Sequence, residues 1–390
     1  MRTRFEDRWE RFVLTLSDII YDRVEPGSYR CVRAVLWAFS CLYGVVIKLR
    51  NWLYEKRMFH DHPLGCLVVV VGNLTVGGTG KTPIVEMLSR SLQARGRKVA
   101  ILSRGYKSRP ERWHKRAWRW LTHTDPEPPK IVSDGQQVLL DSARAGDEPF
   151  MLAQNLPGVV VLVDKNRVKA GQYAIEKFGA DTLILDDGFQ YRPLRGRLNL
   201  VLIDQTNPFG NRYMLPRGIL REPIRALRRA SYVFLTKSFG PPSPELEASI
   251  RHYFPEGEVI QCAHKPCYLQ ELGSELRLPL DALQGLRIAA LSGIAVPENF
   301  EHMLQELGAQ LVQTARFLDH HRFSEQELVE TLEAARELGV QAIIMTEKDA
   351  VRIPKDFDNQ GLKLYYLRLQ VQIVAGDAEF ETVISRLCLP

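Results

Sequence analysis

The chain has 390 residues, 45% of them apolar and 25% charged, with a formal net charge of +6. That length holds one large or two medium domains with ample core, and the composition excludes wholesale disorder. Six scattered cysteines, with no C-x-x-C pair and no metal-ligand spacing, exclude a disulfide framework or a zinc ribbon and suit a reducing cytosol.

The amino terminus is charged and polar through Arg11 and carries no secretory pattern. Residues 31–54 form the first predicted helix. Its apolar core, Val35 to Ile47, is short of the roughly twenty residues that a spanning helix needs. On a helix, Arg30, Arg33, Ser40, Gly44, Lys48, Asn51 and Glu55 fall along one stripe, while Trp37, Phe39, Leu42, Tyr43, Val46, Leu49, Trp52 and Leu53 cover the rest. A wide apolar face beside a basic stripe is what an interfacial helix presents to an anionic leaflet. Packing on the domain's own core is the alternative, and one helix can do both. Asp61-His62-Pro63 then ends it.

The apolar run Cys66 to Val71 reads as a buried parallel strand, because both of its faces must be covered. It enters Gly72-Asn-Leu-Thr75-Val76-Gly77-Gly78-Thr79-Gly80-Lys81-Thr82, and Pro83 opens a helix to Arg95. Strand, Gly-rich loop, Lys-Thr and helix in that order make a phosphate-binding loop for a nucleoside triphosphate. Backbone N–H groups of residues 75–82 wrap the phosphates, Lys81 reaches the β/γ-phosphates and the Thr82 hydroxyl ligates Mg²⁺. Thr75 stands where the usual first glycine would be. An incidental Gly-rich αβ turn is the plain alternative.

A strand from Lys98 to Ser103 leads into a basic, Pro-rich segment with Trp113, Trp118 and Trp120 among its arginines. Such segments bind lipid phosphate or single-stranded nucleic acid; the preceding helix favours lipid, and no nucleic-acid partner is expected. Asp147 and Glu148 open a short helix, where N-capping and complementing the helix dipole are the structural alternatives to catalysis. Strands Val159–Val163 and Thr182–Leu185 flank a helix over 166–178, and Asp186 and Asp187 follow the second strand in the position of a Walker B acid. Further strands are expected at Leu198–Ile203 and Tyr232–Leu235. Residues 241–285 read as a connector, and a second αβ set follows. It comprises strands at 288–291, 311–314 and 342–345, a helix at 298–307, and a helix at 324–338 with a capping box, Ser324 with Glu327. The alternation predicts an α/β fold: a P-loop NTPase-type, doubly wound parallel sheet, a second, smaller α/β domain and the amphipathic membrane-associated helix. The expected divisions are 1–62, 63–240, 241–285 and 286–390.

The phrases Val71–Thr82, Ser103-Arg-Gly-Tyr106, Gly146-Asp-Glu-Pro149, Asp186-Asp-Gly-Phe-Gln190, Gly218-Ile-Leu-Arg-Glu-Pro223, Ser292-Gly-Ile-Ala295, Asp319-His-His321 and Thr346-Glu-Lys-Asp349 together resemble the tetraacyldisaccharide 4′-kinase family of lipid A biosynthesis. The resemblance implies a kinase that transfers the ATP γ-phosphate to the 4′-hydroxyl of an acylated glucosamine disaccharide 1-phosphate. It also implies a place on the cytoplasmic face of the Gram-negative inner membrane, peripheral or monotopic on its anionic surface, with no obligate protein partner. Carried over by position, Asp147 is the catalytic base and His320 its partner. Glu148, Asp186 and Asp187 serve metal and water, and Arg167 and Gln190 touch nucleotide or phosphate. Tyr191 stands where the family usually has His. A partition-type ATPase would carry a lysine where Val76 stands, and a GTPase would show Asn-Lys-x-Asp; neither pattern occurs.

Overall fold

The computed structural model describes residues 15–16, 18–25, 27–105, 127–354 and 356–388. The tryptophan-bearing basic segment, with Tyr106, falls largely at 106–126, outside the described residues. Among the described residues thirteen strands follow in chain order: β1 Leu67–Asn73, β2 Val99–Ser103, β3 Lys130–Asp134, β4 Val160–Val163, β5 Thr182–Leu185, β6 Leu198–Asp204, β7 Tyr232–Thr236, β8 Glu258–Glu271, β9 Arg277–Leu278, β10 Arg287–Ser292, β11 Gln310–Arg316, β12 Ala342–Thr346 and β13 Lys363–Ala375. With the helices between them they form an α/β fold rich in parallel pairing, divided into two units.

One unit takes the described residues up to Lys81, Asp181–Ala263 and the chain from Ile373 on. Its strands run β5-β1-β6-β7-β8, all parallel where they pair. Every residue of β1 is buried, the apolar run Leu67–Val71 as its sequence requires and Asn73 at its end as a polar exception. The turn after β5 folds back on this strand: Gly188 N–H donates to Val71 O at 2.9 Å. Gly72 has no room for a side chain, since a Cβ there would lie 2.6 Å from that of Phe189. The helix Asp377–Cys388 buries Phe380, Val383, Ile384 and Leu387, one face at i, i+3, i+4 and i+7.

The amphipathic helix spans Arg30–Glu55, 26 residues, long and apolar enough by length and composition to cross a membrane. The helix thus meets a length and composition that the short core Val35 to Ile47 was expected to miss, and several of its polar positions are docking points. Ser40 Oγ donates to Met214 O at 2.8 Å, Tyr43 OH to Arg221 O at 3.0 Å, and Arg50 and Asn51 both donate to Glu222. The side of the helix that carries Arg33, Ser40, Tyr43, Arg50 and Asn51 therefore docks on protein, and Val35, Trp37, Phe39, Leu42, Val46 and Leu49 are left exposed.

The other unit takes Thr82–Ala180 and His264–Gln372. In it β2 and β4 pair in parallel, β3 closes antiparallel to β4, and β11-β10-β12-β13 form a second parallel run. The stretch expected as a connector instead carries the helix Pro244–Tyr253 and the 14-residue β8. Ser324 and Glu327 form the anticipated capping box on the helix Glu325–Glu337.

A buried ion network braces this unit. Arg368 pairs with Glu86, on the helix Lys81–Ala94 that leaves the P-loop, and with Glu347. Asn155 Nδ2 donates to Glu347 at 2.7 Å. Burial works against the Arg368 charge, but Glu347 and Glu86 outweigh it and keep the guanidinium protonated. Arg368→Leu leaves Glu347 without its counter-ion and Glu86 with only the half-exposed Arg90, 2.8 Å away. The expected cost is about 3–5 kcal/mol, read as a lowered urea midpoint with the slope unchanged.

Candidate active site

Two constellations emerge, one in each unit. The first surrounds the Gly-rich loop. Gly77 and Gly80 adopt φ of 112° and 73°, a region closed to most side chains. Asn73, buried at the end of β1, shapes the loop by donating its amide to Thr75 O at 2.8 Å. Val76 N–H donates to Ile219 O at 2.8 Å and Arg221 N–H to Leu74 O at 2.7 Å, so the Gly218–Pro223 phrase clamps the loop from one side. Thr236 Oγ1 holds Thr79 O at 2.9 Å.

Lys81 Nζ lies 3.4 Å from Asn73 Oδ1 and 3.7 Å from Asp187 Oδ1. Asp187 adopts φ 53°, which turns its carboxylate toward Lys81 and Arg221, the latter at 2.7 Å. Asp186 is buried beside it, and Gln190 Nε2 donates to Asn73 O at 2.9 Å. Thr79 Oγ1 and Gln190 Oε1 are buried with no hydrogen-bond partner. Buried polar atoms are rarely left so. A cradle with unspent polar atoms, positive-φ glycines and a lysine at its mouth fits a polyphosphate.

Oxygen donors dominate here. Thr82, in the first turn of the next helix, offers a hydroxyl, and Asp186 and Asp187 offer carboxylates. No group of three or more His, Cys, Asp or Glu able to hold a metal ion occurs among the described residues. Mg²⁺ suits such a donor set, because it takes one or two protein oxygens alongside phosphate and water.

The second constellation centres on Asp147, first residue of the helix Asp147–Asn155, which follows Gly146 at φ 97°. The Asp147 side chain is 10% exposed. Its Oδ2 meets Arg352 Nε at 2.9 Å and His320 Nδ1 at 3.4 Å, and its Oδ1 lies 3.4 Å from Arg322. Burial alone would raise its pKa, but His320, Arg352 and Arg322 outweigh that and hold it below the usual carboxylate range. His320 Nε2 lies 3.2 Å from Lys348 Nζ. An ammonium can only donate, so Nε2 accepts and Nδ1 carries the proton that points at Asp147. Lys348 also approaches Asp319 at 3.5 Å and Glu148 at 3.9 Å.

His321 has a different setting. It stacks on Phe317 and meets Glu327 Oε2 at 3.0 Å, inside the capping box. Although burial pushes it up, Glu327 is drawn down to about 2 by the Ser324 backbone and hydroxyl and by His321. Arg167, the other expected phosphate contact, is buried in the first turn of the helix Arg167–Phe178.

Arg352, Arg322 and Lys348 complete the Asp147 cluster without having been singled out from the sequence. Lys348 sits within the Thr346–Asp349 phrase. The i, i+3 pairing of Asp349 with Arg352, 2.8 Å, is the one local signal that marks Arg352.

Residues 32–388 match the family model described as tetraacyldisaccharide-1-P 4′-kinase. A tetraacyldisaccharide 4′-kinase of Anaeromyxobacter sp. (strain K) is 42% identical over 373 residues, covering 94% of each chain. One of Syntrophus aciditrophicus is 38% identical over 348 residues, covering 87% of this chain and 89% of the relative. Among solved structures, the "apo" form of LpxK from Aquifex aeolicus in complex with ATP superposes with a TM-score of 0.71 at 29% identity, covering 92% of this chain and all of that one.

Proposed function

The chain belongs to the tetraacyldisaccharide-1-P 4′-kinase family, and from that premise we propose how its residues divide the work. The activity is ATP-dependent phosphorylation of the 4′-hydroxyl of a lipid A precursor, a disaccharide 1-phosphate. The loop from Thr75 to Thr82 takes the ATP phosphates, with Gln190 and Arg167 as further nucleotide or phosphate contacts. Lys81 exchanges its Asp187 and Asn73 partners for phosphate oxygens. Thr82, Asp186, Asp187 and Glu148 are the oxygen donors assigned to Mg²⁺ and its water, and the bound ion supplies charge neutralisation on the transferring phosphoryl group.

Asp147 takes the proton of the 4′-hydroxyl as the new O–P bond forms and ADP departs with the β–γ oxygen. A carboxylate of low pKa cannot ionise an alcohol in the ground state, but it accepts the proton once the oxygen is committed to phosphorus. His320 orients it through Nδ1–H, and Lys348 fixes that tautomer. The observation that carries this reading is the convergence of His320 and Arg352 on one ionised, largely buried carboxylate. The test is γ-phosphate transfer from ATP to detergent-dispersed disaccharide 1-phosphate, with the phosphate position assigned by phosphorus NMR. Transfer to any position other than the 4′-hydroxyl overturns it.

The helix Arg30–Glu55 supports membrane association, and we read it as lying in the interface of the cytosolic leaflet rather than crossing. Its docked side is held by protein from Arg33, on Asp22, to Arg50, on Glu222, roughly 25 Å of helix. A crossing would drag those partners into hydrocarbon, where they are costly. Replacing Trp37, Phe39 and Leu42 with Ser is expected to weaken sedimentation with anionic vesicles by roughly 10²-fold or more, with the circular dichroism spectrum unchanged. Cleavage near the amino terminus by protease added outside spheroplasts would show a crossing instead.

A further inference from the structure

The helix Arg30–Glu55 and the 3₁₀ turn Ile224–Arg229 line a cavity of about 560 Å³ that contains none of the residues assigned above to phosphoryl transfer. Its walls carry Lys48, Arg192, Arg225, Arg228 and Arg229 against Glu55. Behind them the fully buried Glu222 accepts from Arg229 at 2.7 Å, Arg50 at 3.1 Å and Asn51 at 3.3 Å. One carboxylate thus serves two guanidiniums, with a third, Arg192, nearby. Burial draws the Arg229 pKa below the ordinary guanidinium value, and Arg192 and Arg50 add to that against the pull of Glu222.

Three nitrogens of this cluster, Arg50 Nε, Arg192 Nη1 and Arg229 Nε, are buried without a hydrogen-bond partner. Buried donors of that kind are almost always satisfied, and cationic ones are matched best by an anion that accepts several bonds at once. Aromatic rings hold the forks in place: Arg229 lies 4.2 Å over Phe189 and Arg192 5.1 Å over Tyr54. The remaining wall is apolar. Val45, Leu49 and Trp52 line it and continue onto the outward face of the helix. A free inorganic anion has no use for that wall, whereas an amphiphile with a phosphate at its polar end matches both.

We propose that this cavity binds the phosphate of an anionic glycerophospholipid of the bilayer, with the headgroup among Arg192, Arg225, Arg228 and Arg229 and the first part of an acyl chain along Val45, Leu49 and Trp52. The volume suits a headgroup, and a basic pocket beside a membrane-facing helix is the setting in which such headgroups are recognised. The inference rests on the interfacial helix argued above.

The test compares sedimentation with vesicles of phosphatidylcholine alone and of phosphatidylcholine mixed with phosphatidylglycerol. The wild-type protein is expected to bind both and to prefer the anionic vesicles. The double variant Arg192→Gln/Arg228→Gln is expected to lose about tenfold or more of that preference while still binding phosphatidylcholine. A control pair, Lys56→Gln/Arg57→Gln, removes the same charge at exposed positions outside the cavity and should leave most of the preference intact. Lys48→Gln/Arg225→Gln repeats the experiment at residues with no part in the Glu222 cluster, should the first pair fail to fold. Equal losses in the cavity and control pairs would mean diffuse attraction and overturn the proposal. So would unchanged vesicle binding with a raised KM for detergent-dispersed disaccharide, which would hand the cavity to the substrate's own 1-phosphate. Failure of the wild-type protein to bind either vesicle would refute the interfacial helix itself, a separate outcome.

Discussion

Lys81→Ala is expected to lower phosphoryl transfer by about 10²-fold or more while leaving the circular dichroism spectrum and melting temperature close to those of the wild type. The large effect follows from where charge develops. A transferring phosphoryl group spreads negative charge over its equatorial oxygens, and Lys81 is the cation at the end of the Gly-rich loop. The small structural effect follows from its present partners. Lys81 touches Asn73 Oδ1 and Asp187 Oδ1, and both stay engaged without it. Asn73 still donates to Thr75, and Asp187 still accepts from Arg221. Single-turnover transfer with saturating ATP separates loss of chemistry from loss of binding. Near-normal turnover would remove Lys81 from the phosphate site.

Asp147→Asn and His320→Ala should each lower kcat by about 10²- to 10⁴-fold, and the double variant should be scarcely worse than either. Groups that act as one unit lose their effect together, so additive losses would show two separate roles. His321→Ala should cost little activity, because its contacts are with Glu327 and Phe317, and it should instead lower stability. The pH dependence has a definite sign. His320, Arg352 and Arg322 hold Asp147 below the usual carboxylate range, so it stays ionised at neutral pH and protonates only as pH falls below that range. The fold-loss in Asp147→Asn should therefore be the same at pH 6 and pH 8. A loss that grows between those values would mean that Asp147 titrates there, contrary to its ion pairs. The stability that these pairs contribute is present above the unfolded carboxylate pKa and is lost as pH falls through the lower folded value.

The sequence was most legible where one local rule governs. The unbroken apolar run of β1, the Ser324 capping box and the strand Thr182–Leu185 ahead of two aspartates all depend on neighbours within a few residues. Legibility failed where the partner is distant or the local signal is mixed. Residues 241–285 are rich in Pro and Glu with only short strand-like pieces, so they read as a connector, although they carry the helix Pro244–Tyr253 and β8. The first helix was legible in extent, but the partners on which it docks, Met214, Arg221 and Glu222, lie more than 170 residues away. Arg352 reaches Asp147 across 205 residues of chain. No periodicity or motif spacing registers a contact of that separation. The resemblance carried Asp147 and His320 together, while the cations around them became visible only in three dimensions.

The wiring of the chain also sets an order of events during synthesis. The lipophilic helix ends at Glu55, whereas the unit that holds Asp147 is assembled from Thr82–Ala180 and His264–Gln372. On a ribosome adding about 5–20 residues per second, tens of seconds separate the emergence of the helix from that of β13. His320, Lys348 and Arg352 emerge only late in that interval. The helix proposed to meet the bilayer is thus complete long before the Asp147 cluster is, so on that reading membrane contact precedes catalytic competence.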